Sequence, residues 1–156
     1  MSAEPRWLND DEQRLWRLMV AASAKLSRAV DETLSAESAL SAAEYAVMVT
    51  LSEAPQMSLR MHELCTSLDW DRSRLSHQVT RMAKRGLVEK EPCLNDARGV
   101  VVTLTDHGVE RLEAAVPGHV ETVRSLVFDT TEGSDLQTVA SFLEAIVDAT
   151  PPQNRS

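Results

Sequence analysis

Fifteen consecutive residues, Arg72 to Gly86, carry five Lys/Arg and no Asp or Glu in a chain whose formal net charge is -8. Interleaved with the cations are Ser73, Ser76, Thr80 and the imidazole of His77. Planar and point cations set among hydroxyls suit a surface that meets phosphate and base edges. Arg72 and Arg74 can contact a phosphate or pair bidentately with guanine O6 and N7. Ser73, Ser76 and His77 have the donor and acceptor capacity to read base edges. Gln78 borders the same face, and its amide is chemically suited to adenine. Arg81 and Lys84 are assigned to phosphate rather than to sequence. Downstream, the polar turn Leu94–Arg98 ends in a long planar cation, Arg98, suited to a narrow and electronegative minor groove. Asp96, two residues earlier, reads as the carboxylate that organises the turn and orients Arg98.

Charge is partitioned accordingly. From Arg60 to Arg98 there are eight Lys/Arg and six Asp/Glu, a balance of +2, which leaves -10 for the rest of the chain. An acidic scaffold with a locally basic module binds polyanion only through that module.

These side chains need elements to hold them. Leu75, Val79, Met82 and Ala83 fall on one side of a helix from Arg72 to about Arg85, and the cations and hydroxyls fall mostly on the other. Asp71 is placed to cap that helix and Gly86 to stop it. Before it, Met61, Leu64, Cys65 and Leu68 recur at i, i+3, i+4 and i+7 in a short helix starting near Arg60, and Asp69–Asp71 make the turn between the two. That is a helix-turn-helix. Leu87–Glu91 and Gly99–Leu104 are β-rich and predict two antiparallel strands joined by the polar turn. Gln56 to Leu59 predicts a brief extended segment.

Three further helical regions flank this module. The first is expected from about Asp10 to Thr33, capped by Asn9 or Asp10. Its apolar stripe, Leu15 through Leu34, is longer than a small domain's core requires and invites a second subunit. Ser41 and Glu44 have capping-box spacing and open a helix that should stop near Ala54-Pro55. Thr105 and Asp106 offer caps for a long helix in which Pro117-Gly118 should introduce a kink or a weak point. A last helix is expected from about Thr131 or Glu132 to Asp148, ended by Pro151-Pro152.

At 156 residues and 43% hydrophobic content, the chain fits one mainly helical domain with a small β-wing. No leader with a cleavage site and no run of eighteen apolar residues is seen, so the expected location is the cytoplasm. Cys65 and Cys93 form no C-x-x-C and the four histidines are scattered, which gives no zinc site, disulfide framework or cofactor. Neither thiol lies in an evident electropositive pocket, so redox control is a minor reading. No nucleophile elbow, phosphate-binding glycine loop or paired-carboxylate constellation argues for an enzyme.

Asp96-Ala97-Arg98 followed by Val102-Thr103-Leu104-Thr105-Asp106-His107-Gly108 is similar to the D-x-R wing signature and trailing L-T-x-x-G of the MarR family of winged-helix transcription regulators. Arg81-Met82-Ala83-Lys84-Arg85-Gly86-Leu87-Val88 resembles that family's exit from recognition helix to wing. The element order agrees along nearly the whole chain. Two departures stand out: Ala97 where many relatives carry an arginine, and His62 where a small polar residue is common.

The resemblance implies a winged helix-turn-helix over residues 41–105 and a helical dimerisation part over 8–36 and 106–149, in one domain spanning 1–156. It implies a homodimer that puts Arg72–Arg85 in the major groove of double-stranded DNA. A two-fold dimer reads an inverted repeat whose half-sites lie roughly 10 base pairs apart. In this family such a protein is most often a repressor, released when a small molecule binds between the helical and DNA-binding parts. Trp16, Tyr45, Met48 and His62 are candidates to border that crevice, with core packing the stronger reading and no ligand site assigned. The rival reading is a winged helix that recruits a protein partner through its apolar helices, without sequence-specific DNA binding.

Overall fold

The computed structural model describes residues 5–96 and 98–150. Ala97 of the wing turn and Pro151-Pro152, the expected end of the last helix, lie outside them.

Helix α1 (Asp10–Ser38) starts at a reciprocal capping box: the Glu12 amide donates to Asn9 Oδ1 at 2.9 Å, and the Asn9 amide donates to Glu12 Oε2 at 2.8 Å. It runs five residues past the expected Thr33 and ends where Ala39 turns left-handed, at φ 50°. The exposed carbonyls at that end are taken by two arginines from elsewhere in the chain, Arg111 on Ser38 O and Arg85 on Ala39 O. Helix α2 (Ala42–Ser52) opens at the Ser41–Glu44 capping box.

After a turn at Pro55–Met57, strand β1 (Ser58–Arg60) leads into helix α3 (Met61–Leu68). Left-handed backbone at Gln56 and Met57 keeps the first two residues of the expected extended segment out of the strand. Helix α4 (Arg72–Lys84) follows, capped by Asp71 Oδ1 on the Arg74 amide at 2.8 Å. Gly86 takes φ +72°, the left-handed turn expected after the helix end.

Strands β2 (Val88–Pro92) and β3 (Val100–Leu104) form an antiparallel hairpin, and β1 pairs with the other edge of β3, giving the order β1-β3-β2. The register sets Arg60 opposite Val101 and Pro92 opposite Val100. That pairing delivers the start of α3 to the root of the hairpin.

Helix α5 (Asp106–Val123) passes through Pro117 without interruption and runs into one wide π turn at Arg124–Phe128. The expected weak point at Pro117-Gly118 is therefore part of continuous helix. Helix α6 (Leu136–Val147) starts about five residues later than expected, because Gly133 adopts φ +82° and Asp135 caps Gln137 and Thr138.

The core lies beneath α4 and the sheet. Val47, Met48 and Leu51 of α2 meet Leu64, Leu75, Val79, Met82, Val102 and Leu112. Helix α1 packs along α5, with Thr33 and Thr122 hydroxyls 2.9 Å apart. By contrast α6 buries no residue, and its Leu136, Val139, Phe142, Leu143 and Ile146 are exposed, as are Trp7, Leu15, Trp16 and Leu18 at the start of the chain.

The α5 start shows what the L-T-x-x-G pattern does physically. Thr105 Oγ1 accepts the Gly108 amide at 2.9 Å and donates to Gly86 O at 2.6 Å, while the Thr105 amide donates to Leu87 O at 3.2 Å. Gly108 lies so close that a Cβ there would be 2.2 Å from Leu87 O. Thr105 and Gly108 thus dock α5 onto the turn that leaves α4, with no side chain between them.

Candidate nucleic-acid interface

Helix α4 has two unlike faces. Leu75, Gln78, Val79 and Met82 are buried, and Arg72, Ser73, Arg74, Ser76, His77, Arg81 and Lys84 are exposed. Its first turn contains no acid and its last turn holds Arg81 and Lys84, where cations complement the helix dipole.

Gln78 departs from the expectation that it borders the exposed face. It is 6% exposed and its Oε1 accepts from Arg81 Nη2 at 2.6 Å. Positions 75, 78, 79 and 82 are i, i+3, i+4 and i+7, so Gln78 occupies a slot of the apolar stripe. Its amide oxygen is spent within the helix, on the Arg81 guanidinium.

Arg74 is also positioned by a neighbour. Its guanidinium carbon sits 4.0 Å from the Trp70 ring centroid, a cation–π contact that restrains a long side chain at the start of the helix. Arg85, the fifth cation of the run, faces away from the others. Nη1 meets Glu44 Oε1 at 2.6 Å and Nη2 donates to Ala39 O at 2.7 Å, tying the end of α4 to α2 and to the end of α1.

At the hairpin tip, Asp96 accepts the Arg98 amide on Oδ1 at 3.0 Å, an Asx-type turn. The Gly99 amide donates to Asp96 O at 3.0 Å and the Cys93 amide to Gly99 O at 2.9 Å, which closes the hairpin. Arg98 is exposed, and Arg72 Nη2 lies 3.4 Å from its carbonyl oxygen, so the first residue of α4 touches the wing turn. Helix face and wing therefore form one continuous cationic surface. Lys90, on β2, extends it: Nζ donates to Thr80 Oγ1 at 3.1 Å across the α4–wing junction. Alternation with Glu89 and Glu91 concealed Lys90 in the sequence, because only strand pairing shows which of the three faces α4.

The four candidates for a ligand crevice are not brought together. Tyr45 and Met48 are core residues, Trp16 is exposed on α1, and His62 lies at the wing root. Tyr45 instead has an aromatic neighbour the sequence did not suggest: the His119 ring, with centroids 4.6 Å apart. His119 Nδ1 is buried without a hydrogen-bond partner, and burial holds the imidazole below its ordinary value of 6.5. Burial likewise pushes the Tyr45 phenol up. Cys65 and Cys93 are both half-buried free thiols.

Among the described residues no group of His, Cys, Asp and Glu could hold a metal ion, and no helix is long and apolar enough to cross a membrane.

Comparison with known proteins agrees with this geometry. The family model described as MarR family matches residues 40–100. The chain is 36% identical to Sco3205, a MarR family transcriptional regulator from Streptomyces coelicolor solved in complex with DNA, with a TM-score of 0.89 over 97% of this chain and 96% of that one. It is 35% identical to AbsC, another MarR family transcriptional regulator of that organism, with a TM-score of 0.85 over 92% of this chain and 97% of AbsC. The HTH-type transcriptional regulator PecS of Dickeya dadantii (strain 3937) is 28% identical over 109 residues, 69% of this chain. That match spans 64% of the length of PecS.

Proposed function

Since the chain belongs to the MarR family, we propose that it is a sequence-specific regulator of transcription that binds double-stranded DNA as a homodimer. The observation that carries this reading is the single exposed surface made by the acid-free side of α4 and the Arg98 turn. Residues 41–105 act as the DNA-binding part, and 8–36 with 106–149 as the dimerisation part. Arg72 and Arg74 stand at the start of the helix that enters the major groove. Ser73, Ser76 and His77 face the bases, Arg81 and Lys84 face the backbone, and Arg98 enters the minor groove.

A dimer is supported by α1 and α6. A 12-residue helix that buries nothing within its own chain is marginal in water. Its exposed Phe142, Leu143 and Ile146, with Trp16 and Leu18 of α1, supply the apolar surface that a second copy covers. The protein works in the cytoplasm as a regulator and not as an enzyme, with repression the action typical of its family.

Release by a small molecule needs a ligand that prefers the DNA-incompetent spacing of the two α4 helices. Arg85 is suited to transmit that change, because it links α4 to the carbonyl end of α1 and to Glu44.

Fluorescence anisotropy on DNA from the protein's own upstream intergenic region, against scrambled DNA of equal length, tests the reading. Selective binding of one dimer per site, weakened by Arg98→Ala, is expected. Equal binding to scrambled DNA at every salt concentration removes autoregulation, and failure to select any site from genomic DNA favours protein recruitment instead.

A further inference from the structure

At the root of the wing, between α3, α4 and the hairpin turn, lies a cavity of about 90 Å³ lined by Arg60, His62, Arg72, Asp96 and Arg98 among others. Four elements meet there. Arg60 ends β1, His62 lies in the first turn of α3, Arg72 begins α4, and Arg98 leaves the wing turn.

Three arginines line a space of a few heavy atoms, and none of them is in a salt bridge among the described residues. Of the two nearby carboxylates, Asp96 is itself in the lining and accepts the Arg98 amide on Oδ1, and Glu63 Oε2 accepts the Arg60 amide as the cap of α3. Asp96 leaves the lining with a formal excess of two positive charges. Planar cations gathered around one small cavity without a salt-bridge partner suit a tetrahedral oxyanion, which guanidinium forks bind in bidentate fashion.

We propose that this cavity is a phosphate pocket in which Arg60 and His62 join Arg72 and Arg98 around one oxyanion. The inference rests on the DNA-binding reading for one source of that oxyanion, a backbone phosphate; the other source is free inorganic phosphate. A phosphate held by four elements fixes the angle between wing and α4 without carrying sequence information, so that α4 alone reads bases. The β1–β3 register is what makes this possible. By setting Arg60 opposite Val101, it brings a residue 38 positions earlier in the chain beside Arg98.

The test uses the full-length protein and its Arg60→Gln and His62→Gln variants, both altered at exposed positions. Anisotropy across a salt series should show the slope of log K against log[salt] falling by about 0.9 in Arg60→Gln, which removes one cation from phosphate, while His62→Gln weakens binding without that change of slope. Between 50 and 200 mM salt the affinity loss then shrinks by a factor of about 3.5. The change should be equal on selected and scrambled DNA. A second arm compares melting in sodium phosphate and in sodium chloride at equal ionic strength. General salting-out by phosphate acts on variant and wild type alike. Extra stabilisation of the wild type alone assigns the pocket to free phosphate as well, whereas a slope change without it assigns the pocket to the DNA backbone. An unchanged slope with no wild-type-specific stabilisation overturns the pocket while leaving DNA binding intact. If the wild type binds no DNA, the functional reading fails and the melting arm alone decides the pocket.

Discussion

Replacing Gly108 by alanine should destabilise the protein through one contact that the backbone cannot easily relieve. The added Cβ would stand 2.2 Å from Leu87 O and 2.7 Å from Leu104 Cδ1, where real Cβ contacts stay above 3.0 Å. Opening the first contact requires about 0.8 Å of movement between α5 and the turn after α4, and overpacking of this kind costs about 1–3 kcal/mol. The same carbonyl accepts from the Thr105 amide at 3.2 Å. That bond lengthens past useful range, losing about 1 kcal/mol. Alanine's better helix propensity returns about 1 kcal/mol. The net is roughly 1–3 kcal/mol, or a drop of about 2–12 °C in Tm for a chain of this size. Thermal unfolding followed by circular dichroism at matched protein concentration reads the effect. Gly133→Ala serves as comparison: no atom lies within 4 Å of its Cβ position, so only backbone strain at φ +82° acts. A Gly108→Ala protein that melts within 1 °C of wild type would refute the docking role assigned to Thr105 and Gly108.

Arg85→Ala should cost about 1.5–3 kcal/mol in urea unfolding by removing a charged hydrogen bond from buried Glu44, and Glu44→Gln in the same background should recover part of it. Gln78→Ala should leave base preference unchanged in anisotropy with single-base operator variants, since its amide is buried against Arg81; His77→Ala should alter that preference. The depressed His119 basicity makes the unfolded chain bind more protons than the folded one, so stability should fall as pH drops below 6.5 and level off below the folded value. His119→Phe, which keeps a ring beside Tyr45, should flatten urea-midpoint curves between pH 7.5 and pH 5.5; an unchanged slope would assign the dependence to other groups.

Local signals were readable from the chain wherever one residue acts on its near neighbours. Ser41 with Glu44, Asp71 and Thr105 cap the helices they were expected to cap, and Gly86 makes the left-handed turn. What the sequence hid depends on distant partners. The α1 end lies beyond Thr33 because Arg85 and Arg111 satisfy its carbonyls from 46 and 73 positions away. Helix α6 begins at Leu136 because Gly133 and Asp135 together break and restart the chain, a signal present in the sequence but overshadowed by Thr131 and Glu132. Pro117 stays inside α5, which continues past it along α1.

The candidate site divides along the same line. Helical periodicity separates Arg72, Ser73, Ser76 and His77 from the core, and the i, i+3, i+4, i+7 spacing of 75, 78, 79 and 82 puts Gln78 on the buried side. Lys90, Arg60 and the isolation of Arg85 depend on strand register and on contacts with α1 and α2, which no local pattern encodes. Chemistry alone groups Trp16, Tyr45, Met48 and His62, and the fold distributes them among surface, core and wing root.

The most direct test of the account is selection of bound duplexes from a random-sequence DNA pool by the purified full-length protein. The account predicts enrichment of an inverted repeat with half-sites roughly 10 base pairs apart, as a two-fold dimer with one α4 per major groove requires. A bound pool with the same sequence composition as the input, after repeated rounds at moderate salt, would contradict it.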